Sequence, residues 1–275
     1  MSDSQPSGRS LGHVVLVGAG NMGGAMLRRW PVDTDVTVID PAPSEAVRNH
    51  AIASGVRLSA SPEAVDAADI LLLAVKPQTI GELLGALQPL VTERTVVVSI
   101  MAGTTSAALS DGLGTGRVVR TIPNTPAMVG AGVTAAYAGT ISGVDRDVVE
   151  ALLGFSGAVV WVSSEDDIDR ATAVSGSGPA YVFHLVEALA EAGTSIGLER
   201  EQARRLARQT VIGAAALLDG APDDDPSVLR RNVTSKGGTT AAALKVLMGP
   251  EGFGAALRKA VAAAHERAME LGSGK

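Results

Sequence analysis

The chain contains no cysteine, which removes disulfide staples, zinc–thiolate sites and thiol nucleophiles together and fits a reducing compartment. Aromatic residues make up only 3% of its 275 positions. Any core must therefore be built from Val, Leu, Ile and Ala, residues that suit parallel sheets and close helix packing. Positive charge is in deficit, with 23 Lys and Arg against 29 Asp and Glu, so a surface that coats nucleic-acid phosphates is not expected. No apolar run approaches the roughly 18 residues of a membrane span, and no membrane partner is expected. Residues 1–12 are polar and Ser/Gly-rich, without the basic-then-apolar order of a signal peptide. They read as a loose tail, and the chain is expected in the cytoplasm.

From His13 to about Ser163, short β-branched runs alternate with Ala-rich helical stretches. His13–Val17, Asp35–Asp40, Ile70–Val75, Thr95–Ile100 and Val118–Ile122 are apolar runs of the kind buried on both faces. Amphipathic segments such as Thr79–Leu90 lie between them, a rhythm that implies an α/β fold: a doubly wound, parallel sheet covered by helices. Gly132–Tyr137 and Ala158–Val162 are expected to complete the sheet. After Ser164 the strand pattern stops. Pro179–Ser195, Glu199–Leu218 and Gly252–Leu271 read as long helices, with Gly220–Pro226 a turn-rich linker. The expected division is a doubly wound α/β domain over 13–163 and an all-helical domain over 164–275.

The sequence Gly18-Ala-Gly20-Asn21-Met22-Gly23 is a complete G-x-G-x-x-G that follows a strand and opens a helix. Gly18 permits the tight turn, Gly20 lets the backbone approach a pyrophosphate, and Gly23 lets helix and strand pack closely. The helix N-terminus then offers N–H groups and a positive dipole end to the anion. Asp40, ending the second strand about twenty residues on, suits the adenosine ribose hydroxyls of NAD(H) and repels the extra phosphate of NADP(H). Alternatively it caps the turn before Pro41. Arg48 could still assist a 2′-phosphate, so NADH is favoured and NADPH stays open. Ala74-Val75-Lys76-Pro77 ends another strand, on the edge where open α/β sheets place ligands. Lys76 fits a cofactor contact or an ordinary exposed loop. Met101-Ala102-Gly103 and Pro123-Asn124-Thr125 follow later strands on the same edge. Their small residues leave room for a nicotinamide ring, and Asn124 suits either its carboxamide or the surrounding backbone.

Two segments of the helical half are richer in glycine and hydroxyls than packing requires. In Ala173–Tyr181, Pro179 falls near a helix start with Ser177 as its expected cap. No G-x-S-x-G hydrolase elbow is present there. Asn232–Thr240 runs into a helix expected over Ala241–Met248. The hydroxyls of Ser235, Thr239 and Thr240, with free N–H groups, make a carboxylate-sized anion site or an ordinary Ser/Thr-rich cap.

With these segments in view, the sequence resembles the pyrroline-5-carboxylate reductases over nearly its whole length. The resemblance rests on Gly18–Gly23, Ala74–Pro77, Arg120–Ala127 with Val129–Gly132, Ser175–Tyr181 and Val233–Thr240. Lys236 stands where the family commonly has proline. The resemblance implies a Rossmann domain followed by a helical domain that interlocks with its partner in a homodimer, often built further into decamers. It implies that Ser235, Gly237, Gly238, Thr239 and Thr240 hold the carboxylate of a small imino-acid substrate, with Thr240 near the ring nitrogen and Ser177 close by. The reaction implied is reduction of 1-pyrroline-5-carboxylate to L-proline by NAD(P)H, the last step of proline biosynthesis. A protonated cyclic imine is already electrophilic, so orientation rather than strong acid catalysis is asked of the protein, worth ~7–11 kcal/mol in favourable cases. None of the four histidines lies in a motif loop. His184 with Glu187 one turn on falls short of a metal-ligand set, and no metal is expected. Two rivals remain: a reductase of keto or 3-hydroxy acids with Lys236 or Lys245 as proton donor, and a non-catalytic redox sensor, which would have no use for Ser235–Thr240.

Overall fold

The computed structural model describes residues 11–272; the tail expected over 1–12 lies almost wholly outside them. The described residues up to Ser177, together with those from Ala264 onward, form one compact unit, and Gly178–Ala263 form a second. Residues 164–177 follow the last strand yet pack with the sheet. Helix α6 (Asp166–Ala171) buries Ile168 against Ile122 and Ala135 of two strands.

The first unit is built on an eight-stranded sheet in the order β3-β2-β1-β4-β5-β6-β7-β8. Its strands are β1 (Val14–Val17), β2 (Val36–Ile39), β3 (Arg57–Ser59), β4 (Ile70–Leu73), β5 (Val96–Ser99), β6 (Val118–Pro123), β7 (Gly132–Ala138) and β8 (Gly157–Trp161). The strands β1 to β6 are parallel and in the order of a dinucleotide-binding sheet. Period-two geometry sends alternate residues to opposite faces. Val14, Leu16, Val36, Val38, Ile70 and Leu72 join one core with α1 (Asn21–Leu27), α2 (Glu45–Ser54) and α5 (Gly143–Gly154). Val15, Val17, Ile39, Leu71, Leu73 and Val97 join the other with α3 (Pro77–Leu87) and α4 (Ser106–Leu113). The sheet is thus doubly wound.

Two features depart from the sequence reading. Strand β3 is absent from it, because Arg57 and Leu58 are exposed and no apolar run marks the place. Strand β7 runs antiparallel to β6, so the sheet is not wholly parallel. Only residues 124–131 join the two, and a parallel crossover needs about a dozen or more. Helix α5 then returns the chain to β8, which is parallel to β7.

The second unit contains α7 (Gly178–Ser195), α8 (Arg200–Asp219), a short α9 (Pro226–Asn232), α10 (Thr239–Leu247) and the first part of α11 (Phe253–Gly272). Helix α9 replaces the end of the expected linker. Asp225 caps it by accepting from Ser227 N at 2.8 Å; the Ser227 hydroxyl first, and that backbone N–H second, hold the Asp225 carboxyl below the usual aspartate range.

Candidate active site

The glycine loop leaves β1 with Gly18 at φ +87° and its N–H bonded to Ile39 O at 2.8 Å. A side chain at Gly18 would also meet Val75 Cγ1 at 2.9 Å and Ala74 O at 3.0 Å. Gly20 is the N-cap of α1, where no side chain caps the helix and no acidic residue stands in the first turn. Nothing lies within 4 Å of a Cβ built on Gly20, so its glycine keeps an approach open rather than relieving a clash inside the chain. Gly23 is the reverse: a Cβ there would stand 2.4 Å from Gly18 O and 2.9 Å from the Ala74 methyl. Asn21 is exposed and Met22 half-buried at the start of the helix. An uncapped, acid-free helix start behind an open glycine is the cradle a pyrophosphate requires, and the residues fit a dinucleotide.

Asp40, half-buried at the end of β2, accepts from Ala19 N through Oδ2 at 2.8 Å and from Ala42 N through Oδ1 at 2.9 Å. It therefore ties the glycine loop to the β2–α2 loop and caps the latter as well. Arg48 lays its guanidinium on the Pro43 carbonyl of that loop. Ala74 and Val75 pack against the glycine loop, while Lys76 and Pro77 are exposed at the start of α3. The Lys76 carbonyl accepts from Thr79 N and Oγ1 at 3.0 and 2.8 Å.

After β5, Met101 is buried, Ala102 exposed and Gly103 in the left-handed region at φ +72°. A Cβ on Gly103 would meet Leu271 O of α11 at 2.9 Å, so packing accounts for the small residue expected to make room for a nicotinamide. After β6, Pro123 and Asn124 are both buried. Asn124 Oδ1 accepts from Val133 N at 2.9 Å and Nδ2 donates to Ser175 O at 3.1 Å. Both ends of the Asn124 amide thus bond to backbone.

Ser177 is not the N-cap expected. Its dihedrals are helical (φ −84°, ψ −21°), and it closes a π turn (Thr172–Gly176) that runs from α6 directly into α7. In the second unit, Gly237 adopts φ +73°, and a Cβ on Gly238, the N-cap of α10, would lie 2.4 Å from Ser235 Oγ and turn that hydroxyl aside. Gly238 N donates to Ser235 O at 3.1 Å. No side chain caps α10; the hydroxyls of Ser235, Thr239 and Thr240 therefore do not perform the capping that was the alternative reading. Ser235, Lys236 and Thr239 are exposed, and Thr240 is half-buried.

Residues 165–271 match the family model described as pyrroline-5-carboxylate reductase dimerisation, and residues 13–103 match one described as NADP oxidoreductase, coenzyme F420-dependent. The pyrroline-5-carboxylate reductase of Pseudomonas aeruginosa is 38% identical over 264 residues, covering 94% of this chain and 96% of the relative. The chain belongs to the pyrroline-5-carboxylate reductase family. The reductase of Synechocystis sp. is likewise 38% identical, over 94% and 97% of the two chains. In three dimensions the chain is similar to the solved pyrroline-5-carboxylate reductase of Coxiella burnetii, with TM-score 0.87, 34% identity and 95% and 98% coverage. A Plasmodium falciparum pyrroline carboxylate reductase, solved with NADP bound, matches with TM-score 0.78, 28% identity and 96% and 100% coverage.

One cluster in this reductase lies beside the motif loops and was not anticipated. Arg120 of β6, its side chain 4% exposed, reaches Glu165 at 3.3 Å and Asp169 at 2.9 Å. Glu165 Oε1 also accepts from Ser106 N at 2.7 Å and Oγ at 3.1 Å. The network thereby joins the first turn of α4, β6 and α6. The signal was a lone cation inside the apolar run Val118–Pro123, because a charge on a strand buried on both faces must have partners.

Proposed function

We infer that the chain reduces 1-pyrroline-5-carboxylate to L-proline with NAD(P)H, the last step of proline biosynthesis. The observation that carries this is the coexistence, in one chain of this family, of the open glycine loop Gly18–Gly23 and the uncapped loop Ser235–Thr240 at the start of α10. The first suits a dinucleotide pyrophosphate, and the second offers N–H groups and hydroxyls to a carboxylate. A redox sensor would need only the first.

A dinucleotide held at the glycine loop would supply, through its reduced nicotinamide, a hydride for the C=N carbon of the protonated imine, whose π pair would become the amine lone pair. The chain's own task is to bind and orient. Ser235, Gly237, Gly238 and Thr239 hold the substrate carboxylate, and Thr240 holds the ring nitrogen through its hydroxyl. Gly18, Gly20, Asn21, Met22 and Gly23 receive the pyrophosphate, while Ala74, Val75, Lys76, Pro77, Ala102, Gly103 and Pro123 shape the cofactor edge. Asp40 favours NADH, its charge fixed by the amides of Ala19 and Ala42 where a 2′-phosphate would approach. Arg48 is the group that would receive that phosphate from NADPH. The working assembly is a homodimer, with a decamer as its higher form, in the cytoplasm.

The test is steady-state reduction of pyrroline-5-carboxylate by wild type and Thr240→Val. Removing one hydrogen bond to a charged ligand typically costs about 1.5–3 kcal/mol, so kcat/KM should fall roughly tenfold to a hundredfold. Dinucleotide affinity should stay unchanged. Equal kcat/KM in the two proteins removes Thr240 from the mechanism, and a wild type inert toward the imine removes the activity.

A further inference from the structure

An α-helix returns each N–H to the carbonyl four residues back, and proline has none to return. Pro179, second residue of α7, therefore leaves the Ser175 carbonyl without its helical donor. The chain answers by widening just before it. Ser177 N–H reaches back five residues to Thr172 O at 2.9 Å, and Thr172–Gly176 form a π turn. The Ser175 carbonyl is taken instead by Asn124 Nδ2 at 3.1 Å, while Asn124 Oδ1 accepts from Val133 N at 2.9 Å. Asn124 is 8% exposed, so both bonds are sheltered from water.

The turn sits over the end of β6, with Ile122 Cγ1 3.9 Å from a Cβ built on Gly176. That is the sheet edge which also carries the loops after β1, β4 and β5, where open α/β sheets bind ligands. Two of the three hydroxyls in this stretch bond backward into the helix, Thr172 to Ile168 O at 2.8 Å and Ser175 to Ala171 O at 2.9 Å. The third, on half-buried Ser177, bonds to nothing among the described residues. The extra residue of a π turn rotates everything after it by about 100° relative to an unbroken helix. The direction of Ser177 is thus set by the turn.

We propose that Asn124 is a positioning residue: with Pro179 it holds the π turn open, and the turn presents the Ser177 hydroxyl to the bound imino acid. This rests on the activity inferred above. It assigns Asn124 a substrate-side effect through Ser177 rather than a contact with the nicotinamide carboxamide.

Pro179→Ala separates this from a merely structural role. Alanine restores an N–H that competes with Asn124 for Ser175 O and closes the turn toward α-helix, and it replaces the poorest helix residue by the best. Melting temperature should hold or rise while KM for pyrroline-5-carboxylate rises about tenfold, the loss expected for one hydrogen bond to the ligand. Asn124→Ala and Ser177→Ala should raise KM similarly, Asn124→Ala with a lowered melting temperature. The double variant Pro179→Ala/Ser177→Ala should lose little beyond either single one. The Kd for NADH or NADPH, read from bound-nicotinamide fluorescence, should change less than about twofold in all of them. Wild-type kinetics in Pro179→Ala overturn the proposal. So does an Asn124→Ala whose cofactor Kd rises as far as its KM. If wild type itself reduces no imine, the activity falls first and the proposal with it.

Discussion

A Cβ added at Gly23 would come within 2.4 Å of the Gly18 carbonyl oxygen, whereas one at Gly20 would meet nothing within 4 Å. Two glycines of one motif are therefore needed for opposite reasons, and their variants should separate. Gly20→Val should keep the ligand-free melting temperature, at a cost of no more than about 1 kcal/mol for an apolar N-cap, while dinucleotide binding disappears. Gly23→Ala should lower stability by about 1–3 kcal/mol, the usual penalty for overpacking. Calorimetry with and without NADH reads both, and an unchanged cofactor titration in Gly20→Val refutes the pyrophosphate assignment. Asp40 differs in kind, because its carboxylate is both a tether and a charge. Asp40→Ser should raise the ratio of kcat/KM for NADPH over NADH roughly tenfold to a hundredfold as a negative charge leaves the 2′ position. A wild type that already prefers NADPH strongly would show that the tether, not the charge, explains Asp40.

Among the elements, β6 carries the clearest energetic prediction. Arg120→Ala strands Glu165 and Asp169, whose side chains are 29% and 19% exposed. Breaking such a pair typically costs 3–5 kcal/mol, and the water that remains at the carboxylates puts the expected loss near the lower figure, about 3 kcal/mol. Urea unfolding measures it, and a loss under about 1 kcal/mol would mean that the network is decoration. The same strand shows why the sequence was legible in some places and not in others. Runs such as Val14–Val17 and Ile70–Leu73 announce themselves because burial on both faces demands continuous apolar residues. The direction of β7 was hidden from periodicity, which is blind to strand polarity, although the shortness of residues 124–131 carried it. Strand β3 left no apolar trace because it is a three-residue edge. The glycine loop was readable because its chemistry is backbone geometry at fixed spacing. Ser177 was misread as a cap because the consequence of Pro179 depends on a side chain, Asn124, more than fifty positions away in sequence.

At the scale of the whole molecule, the helical unit has almost no interior of its own. Among the described residues of Gly178–Ala263, the buried apolar side chains are only Ala190, Ala203 and Ala207, where α7 meets α8. Phe183, Leu206, Ile212, Leu217 and Val246 are all more than half exposed. Three alanines cannot by themselves offset the entropy of ordering such a unit, and the dimerisation match over 165–271 makes a partner subunit the expected cover for its exposed apolar side chains. Sedimentation should show a dimer or a multiple of it well below micromolar concentration, and thermal stability should fall on dilution. A fully active, stable 27.8 kDa monomer would refute this. Helix α11 adds a consequence in time. Its residues from Ala264 onward belong with the sheet unit, and the Leu271 carbonyl backs Gly103. On the ribosome, the loop after β5 therefore goes without its backing until Leu271, 168 positions beyond Gly103, has been made, so a nascent chain that already has its glycine loop does not yet have the packing behind Gly103.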